Sequence, residues 1–356
     1  MTAQPATQQA RQLLGRAGRA ALVTQRNIRR MVEESRHRAA APAQADEPVL
    51  PPTVALRENG FTVFRGLFPP AECARLARRL KTEAGITEGH KFTKVDATNA
   101  FPTAREIMLE GRIIEAVRSA LGAQPRFLQV SDLHYLHDTA AWHRDSVHRA
   151  HDSSEAPDWR ADAPPFGVVK AILYMEADNA AMGIMAGSHL SPIEMDHAHV
   201  KNVERNGGQL VIGPQENPNR RLTAAQRRTP VAWKAEVGDV LVFDERMYHC
   251  GRRVDHGQVT VNREAPKFTL SLVFGQDNEH SERMYSYFRY VRTELGYRDL
   301  DASFRDELAS RGLVLDHGWA DFYRTHPEDL PHVYLPKASR LQPLLEEYSA
   351  PSASRG

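Results

Sequence analysis

Four stretches of this chain, residues 127–136, 167–175, 238–243 and 267–274, are apolar or alternating runs of strand length, separated by turn-rich loops. Strands that follow one another without intervening helices pair antiparallel, as a sandwich or barrel whose interior can hold a metal and its ligands. A helix, strand, helix preface comes first. Residue 56 onward ends a helix at Asn59-Gly60 and starts a short alternating strand, then Pro69-Pro70-Ala71-Glu72 opens a helix to about Ala84 with Cys73, Leu76, Ala77 and Leu80 as its apolar stripe. Residues 281–295 and 300–311 read as helices. The expected class is mainly β with flanking helices.

With 356 residues, 41% of them hydrophobic, one large domain with extensions is expected rather than several small ones. Its bounds are an Ala/Arg-rich arm over 1–46, helical or without fixed structure, a catalytic-sized domain over 47–300, and a helical or irregular extension over 301–356. The arm carries Leu13, Leu14, Ala17, Ala21, Leu22, Ile28, Met31 and Val32 at helical spacing, which makes it a candidate contact for a homo-oligomer. Two long polar segments, 148–165 and 191–233, interrupt the sheet and read as lids or binding loops.

A formal charge of +1 offers no concentrated basic surface for nucleic acid, so a small-molecule partner is expected. Cys73 and Cys250 are the only cysteines, which leaves no disulfide framework and fits a reducing, cytoplasmic setting. No apolar run is long enough for a membrane helix, so no membrane partner is expected.

The chemistry is carried by Trp142-His143-Arg144-Asp145 and by His249 in Asp244-Glu245-Arg246-Met247-Tyr248-His249. Residues two apart on an extended segment share a side, so His143 and Asp145 can reach one cation while Arg144 faces away. Two imidazoles and one carboxylate hold non-heme Fe(II) on one face and leave the opposite positions open, which points to an oxygenase. His-x-Asp alone is a weak signal among 16 histidines, and His134, His137, His148 and His151 are nearby rivals. The context of His249 strengthens it: the residue follows Gly238-Asp239 and an apolar strand, just past the strand end. Gly187-Ser188-His189 reads as a tight turn, with His189 a supporting residue rather than a ligand.

From residue 56 to residue 275 the order of these pieces resembles the phytanoyl-CoA dioxygenase family of Fe(II)/2-oxoglutarate-dependent oxygenases. The matching pieces are Glu58 to Gly66, Trp142-His143-Arg144-Asp145, Ala186-Gly187-Ser188-His189, the 238–243 strand and His249. The resemblance implies a double-stranded β-helix, the jelly-roll or cupin-like barrel, with Fe(II), 2-oxoglutarate as cosubstrate, and O2. It implies His143, Asp145 and His249 as iron ligands and as the catalytic set. The family's basic residue for the far carboxylate of 2-oxoglutarate falls on Lys267 here, where arginine is usual, with Thr269 as hydroxyl donor and Arg263 as the rival anchor. Asn262 matches a family asparagine, Gln129 a position that faces the cosubstrate, and Trp142, Lys170 and Tyr174 are candidate pocket residues.

Activity implied by the resemblance is oxidation, by default hydroxylation, of an unactivated C–H bond in a polar specialised metabolite. An intact Asp145 argues against the halogenating relatives, which carry a small residue there. Desaturation and cyclisation stay open, as do the identity of the substrate and the oligomeric state. Two other readings keep the barrel: a cupin-like metal-dependent isomerase, which would need a further ligand, and a non-catalytic binding protein.

Overall fold

The computed structural model of the chain describes residues 49–136, 141–148, 156–193, 195–206, 208–255, 258–260, 267–316 and 321–330. The N-terminal arm, His137, His151, Asn262, Arg263 and the chain beyond residue 330 lie outside them.

Eleven strands are described: β1 (Phe61–Phe64), β2 (Phe92–Val95), β3 (Arg126–Tyr135), β4 (Val168–Ala177), β5 (Ala180–Ile184), β6 (Leu210–Ile212), β7 (Val231–Lys234), β8 (Val240–Asp244), β9 (His249–Asp255), β10 (Gln258–Thr260) and β11 (Lys267–Gly275). One sheet runs β1-β8-β4-β11-β3-β2 and the other β10-β9-β5-β7-β6. Every pair is antiparallel except β6–β7. The two sheets curl around a cavity lined from both, which is the jelly-roll arrangement.

Alternation along the strands decides what faces that cavity. On β11, Lys267, Thr269 and Ser271 point inward, while Phe268, Leu270, Leu272 and Phe274 join the core on the opposite face. There they pack against helices Pro70–Ala84, Pro102–Met108 and Gly111–Leu121. Cys73, Leu76, Ala77 and Leu80 are buried in that layer, as the apolar stripe predicts. Burying one such leucine or phenylalanine contributes about 1.5–3 kcal/mol, so β11 is held by its outer face and free to present polar groups on its inner one.

Several local expectations change. The polar segment 191–233 is not a plain loop: it contains helix His197–Arg205, capped by Asp196 accepting from the amides of Ala198 and His199, and the strands β6 and β7. Helices Pro102–Met108 and Gly111–Leu121, together with β2, fill the stretch between the second helix and β3. The helix read over 281–295 is regular only over Glu279–Ser286 and continues as a π-turn over Tyr287–Val291. Tyr285, Tyr287, Phe288 and Tyr290 pack in a core behind β3 and β11, with Leu315, Phe322, Tyr323 and Leu330, so the described part of residues 300–330 adds to the outer layers of the barrel.

Gly238 makes the turn into β8 at φ +91, accepts a hydrogen bond from the amide of Phe68 and donates to the carbonyl of Tyr174. A Cβ here would stand 1.9 Å from the carbonyl oxygen of Phe68. Asp239 completes the turn by accepting from Arg65, from the Gly66 amide and from the Glu236 amide. Replacing Gly238 by alanine combines left-handed strain with a backbone clash and should destabilise the protein by at least about 2 kcal/mol in urea unfolding. Gly66→Ala, at φ +55 with open space around it, should cost clearly less.

Candidate active site

The two histidines are joined through the main chain before their side chains meet anything. The His143 amide donates to the His249 carbonyl at 3.0 Å, and the His249 amide returns the bond to His143 at 2.9 Å. The amides of Asp145 and Ser146 both donate to the carbonyl of Glu245, at 3.0 and 2.9 Å. The segment carrying the first two candidate ligands is thus registered against the segment carrying the third. His249 is itself the first residue of β9 rather than a loop residue beyond a strand end.

Ring orientation follows from carbonyl chemistry. His143 Nδ1 lies 2.8 Å from the Ala141 carbonyl and His249 Nδ1 lies 3.0 Å from the Met247 carbonyl. A carbonyl only accepts, so both protons sit on Nδ1 and both Nε2 lone pairs are free for a cation. Those nitrogens face the Asp145 carboxylate, His143 Nε2 at 3.5 Å from Oδ1 and His249 Nε2 at 3.3 Å from Oδ2. All three donor atoms lie within 4.8 Å of one another, and among the described residues this group has no fourth His, Cys, Asp or Glu. Two imidazole nitrogens and one carboxylate fit a divalent first-row metal such as iron.

The donors open on a cavity of about 180 Å³. Its walls include Lys267, Thr269 and Ser271 from β11, Asp132 and His134 from β3, Lys170 and Ile172 from β4, Met182 from β5 and Gly251 from β9. Lys267 is buried, with its ammonium 5.9 Å from the centre of the Tyr174 ring. Lys170 donates a hydrogen bond to Asp145 Oδ2 and stands 3.5 Å from Glu245 Oε1.

The charges explain one another. Burial alone would raise the Asp145 carboxyl, but Lys170 and the two imidazoles outweigh it and hold it well below the usual carboxylate range. Burial works against the Lys170 ammonium, yet Asp145, Glu245 and Asp132 keep it above its ordinary value. Glu245 is pushed up to about 8, first by burial and then by the negative charge of Asp145, against the pull of Lys170. Burial likewise raises Asp132 to about 6. Tyr297 donates a hydrogen bond to that carboxylate.

Other candidates fall elsewhere. Gln129 is turned away from the cavity: its backbone has φ 62, and its amide donates to the Arg298 carbonyl and to Asp96. A positive φ in mid-strand breaks the two-residue alternation, and Asp132 and His134 take the inward places instead. Trp142 packs with Met185, Val200, Tyr248 and Cys250, under the guanidinium of Arg252. That arginine is buried and paired with Glu204 rather than lying free on the surface. His148 is committed to Asp158 at 3.3 Å. His189 donates from Nε2 to the Arg57 carbonyl, while Ser188 Oγ accepts from the Tyr248 amide, so the Gly-Ser-His turn buttresses the approach to His249. The sequence singles out Lys170 but not Glu245 or Asp132: a carboxylate beside an apolar strand carries no local signature of the cation it will meet.

A mostly antiparallel barrel with two imidazoles and a carboxylate converging at its cavity has the architecture of a mononuclear non-heme iron oxygenase. The sequence profile of the phytanoyl-CoA dioxygenase (PhyH) family matches residues 56–255, and the chain belongs to that family. It is therefore an enzyme of the Fe(II)/2-oxoglutarate-dependent type.

Comparison with curated protein sequences gives no match. Among solved structures the chain is similar to HygX from Streptomyces hygroscopicus with nickel and 2-oxoglutarate bound, at 18% identity, covering 62% of this chain and 85% of that one, with a TM-score of 0.40. It is similar to EctD from S. alaskensis with 2-oxoglutarate and 5-hydroxyectoine, at 15% identity over 66% of this chain and 86% of that one, TM-score 0.41. The epimerase SnoN in complex with Fe3+, alpha ketoglutarate and nogalamycin RO gives 15% identity over 63% and 82%, TM-score 0.40. No helix among the described residues is long and apolar enough to cross a membrane.

His143 supplies a test in the metal-free protein. Burial, reinforced by His249, pushes its pKa down to about 4 from 6.5. Between those values the unfolded chain binds more protons than the native one, so stability falls as pH drops from 6.5 towards 4. His143→Ala should remove up to one proton from that slope, about 1.4 kcal/mol per pH unit, in urea unfolding followed across pH.

Proposed function

We propose that this protein oxidises an unactivated C–H bond of a small molecule, using His143, Asp145 and His249 as iron ligands and Lys267 with Thr269 as the anchor for the distal carboxylate of 2-oxoglutarate. The observation that carries this is the convergence of the three donors on a cavity that Lys267 and Thr269 also line. When bound, iron and 2-oxoglutarate would react with O2 to supply an oxidant able to take hydrogen from such a bond, one oxygen atom ending in succinate, formed with carbon dioxide, and the other available to the substrate.

The chain's own residues do the positioning. The Ala141 and Met247 carbonyls fix the two rings, so both nitrogens reach a metal without rotation. Lys267 offers a point charge and Thr269, two residues on along the same face, a hydroxyl; together they can hold a carboxylate end-on where an arginine would grip it with a fork. Ile172 and Met182 are the apolar parts of the wall and keep water from the reacting atoms. A cavity of about 180 Å³ is smaller than the roughly 300–1,000 Å³ of sites that enclose a whole ligand. It suits the cosubstrate and the reacting end of the substrate, the remainder lying across the mouth.

The protein incubated with Fe(II), 2-oxoglutarate, oxygen and candidate metabolites should form succinate, and Asp145→Ala should abolish both succinate formation and tight metal binding. Wild-type protein that takes up iron but shows no affinity for 2-oxoglutarate would sink the oxygenase reading. Lys267→Ala should weaken 2-oxoglutarate binding roughly 10- to 100-fold, the equivalent of one charge-assisted hydrogen bond, with metal affinity little changed. Unchanged cosubstrate affinity in that variant would move the anchor to Arg263.

A further inference from the structure

We propose that Lys170 is a positioning residue that makes Asp145 a one-oxygen metal ligand, and that Glu245 is the buried acceptor that keeps the Lys170 ammonium in place. The proposal rests on the metal-site reading above. Lys170 projects from β4 into the cavity and donates to Oδ2 of Asp145, the oxygen that also lies 3.3 Å from His249 Nε2, while Oδ1 of the same carboxylate faces His143 Nε2 at 3.5 Å. A carboxylate that grips a cation through both oxygens occupies two coordination positions. One whose second oxygen is held by an ammonium occupies one. In a three-residue ligand set this difference decides whether a chelating cosubstrate and oxygen find room together.

Glu245 gives the arrangement its logic. Its side chain is buried, neither carboxylate oxygen has a hydrogen-bond partner among the described residues, and the Lys170 ammonium stands 3.5 Å from Oε1. A buried carboxyl group without a close partner is costly, so its presence is explained by the ammonium it faces. The carbonyl of the same residue accepts from the amides of Asp145 and Ser146. One residue therefore holds the ligand segment by its main chain and the ligand's partner by its side chain. Sheet register reinforces this, since Lys170 pairs with Phe243, two residues before Glu245. A lysine serving only to neutralise an empty site would need none of this bracing.

The test is anaerobic Co(II) titration of the full-length protein, read by calorimetry and by visible absorption, which responds to coordination number. Lys170→Met alone leaves Glu245 without its cation, so Lys170→Met/Glu245→Gln, which removes the ammonium and the acid facing it at similar volume, is the decisive variant. It should keep a cooperative thermal transition, bind Co(II) roughly 10- to 100-fold more weakly and show an altered visible spectrum. Glu245→Gln alone should retain most of the affinity. A double variant that folds and binds Co(II) with wild-type affinity and spectrum, or more tightly, would overturn the proposal while leaving the metal site standing. Wild-type protein that binds no Co(II) overturns the metal reading and this proposal with it.

Discussion

The reciprocal pair of amide-to-carbonyl bonds between His143 and His249 is the contact on which the rest of the site depends. It ties a segment between β3 and β4 to the first residue of β9. Each such bond contributes only about 1 kcal/mol net, but both are backbone bonds with no rotamer to lose. The two imidazoles therefore start 4.3 Å apart, centre to centre, and each needs only one carbonyl to set its tilt. Glu245 adds the same kind of registration for Asp145, so the donor set is organised by main chain first and side chain second.

Around it the barrel interior is divided between an apolar core and a polar cavity. Phe61, Tyr174 and Phe243 of one sheet pack with Ile184 and Trp233 of the other, whereas the cavity wall carries Asp132, His134, Lys170, Lys267, Thr269 and Ser271. Buried ionisable groups are tolerable because they face partners: Asp145 is paired with Lys170, Glu245 faces the same ammonium, and Asp158 lies against His148 and His280 in a separate cluster. The polar strand faces are thus a site rather than a defect in the core.

Much of this was legible in the sequence, because it depends on short-range periodicity. His143 and Asp145 share a side as residues two apart on an extended segment do, and the alternation of Lys267, Phe268, Thr269, Leu270 and Ser271 separates cavity from core. The helix at 70–84 and its buried stripe follow from the same logic at helical spacing. What escaped was non-local or depended on one dihedral. The φ of Gln129 swings its amide to Arg298, and Glu245 sits after an apolar strand with nothing nearby to announce Lys170. The helices between 97 and 121 are short, and neither Pro102–Met108 nor Gly111–Leu121 has a side-chain cap to mark its start.

Arg144 stands between two candidate ligands in sequence and faces the other way. Its guanidinium donates to the carbonyls of Ser188, Ser191, Pro192 and Ile193 and lies over the rings of Trp159 and Tyr248. The stiffness of the metal end is therefore borrowed from a turn that never touches the metal. The guanidinium acts as a tie-rod: a load applied at residues 188–193, just ahead of helix His197–Arg205, reaches His143 and Asp145 through a single side chain.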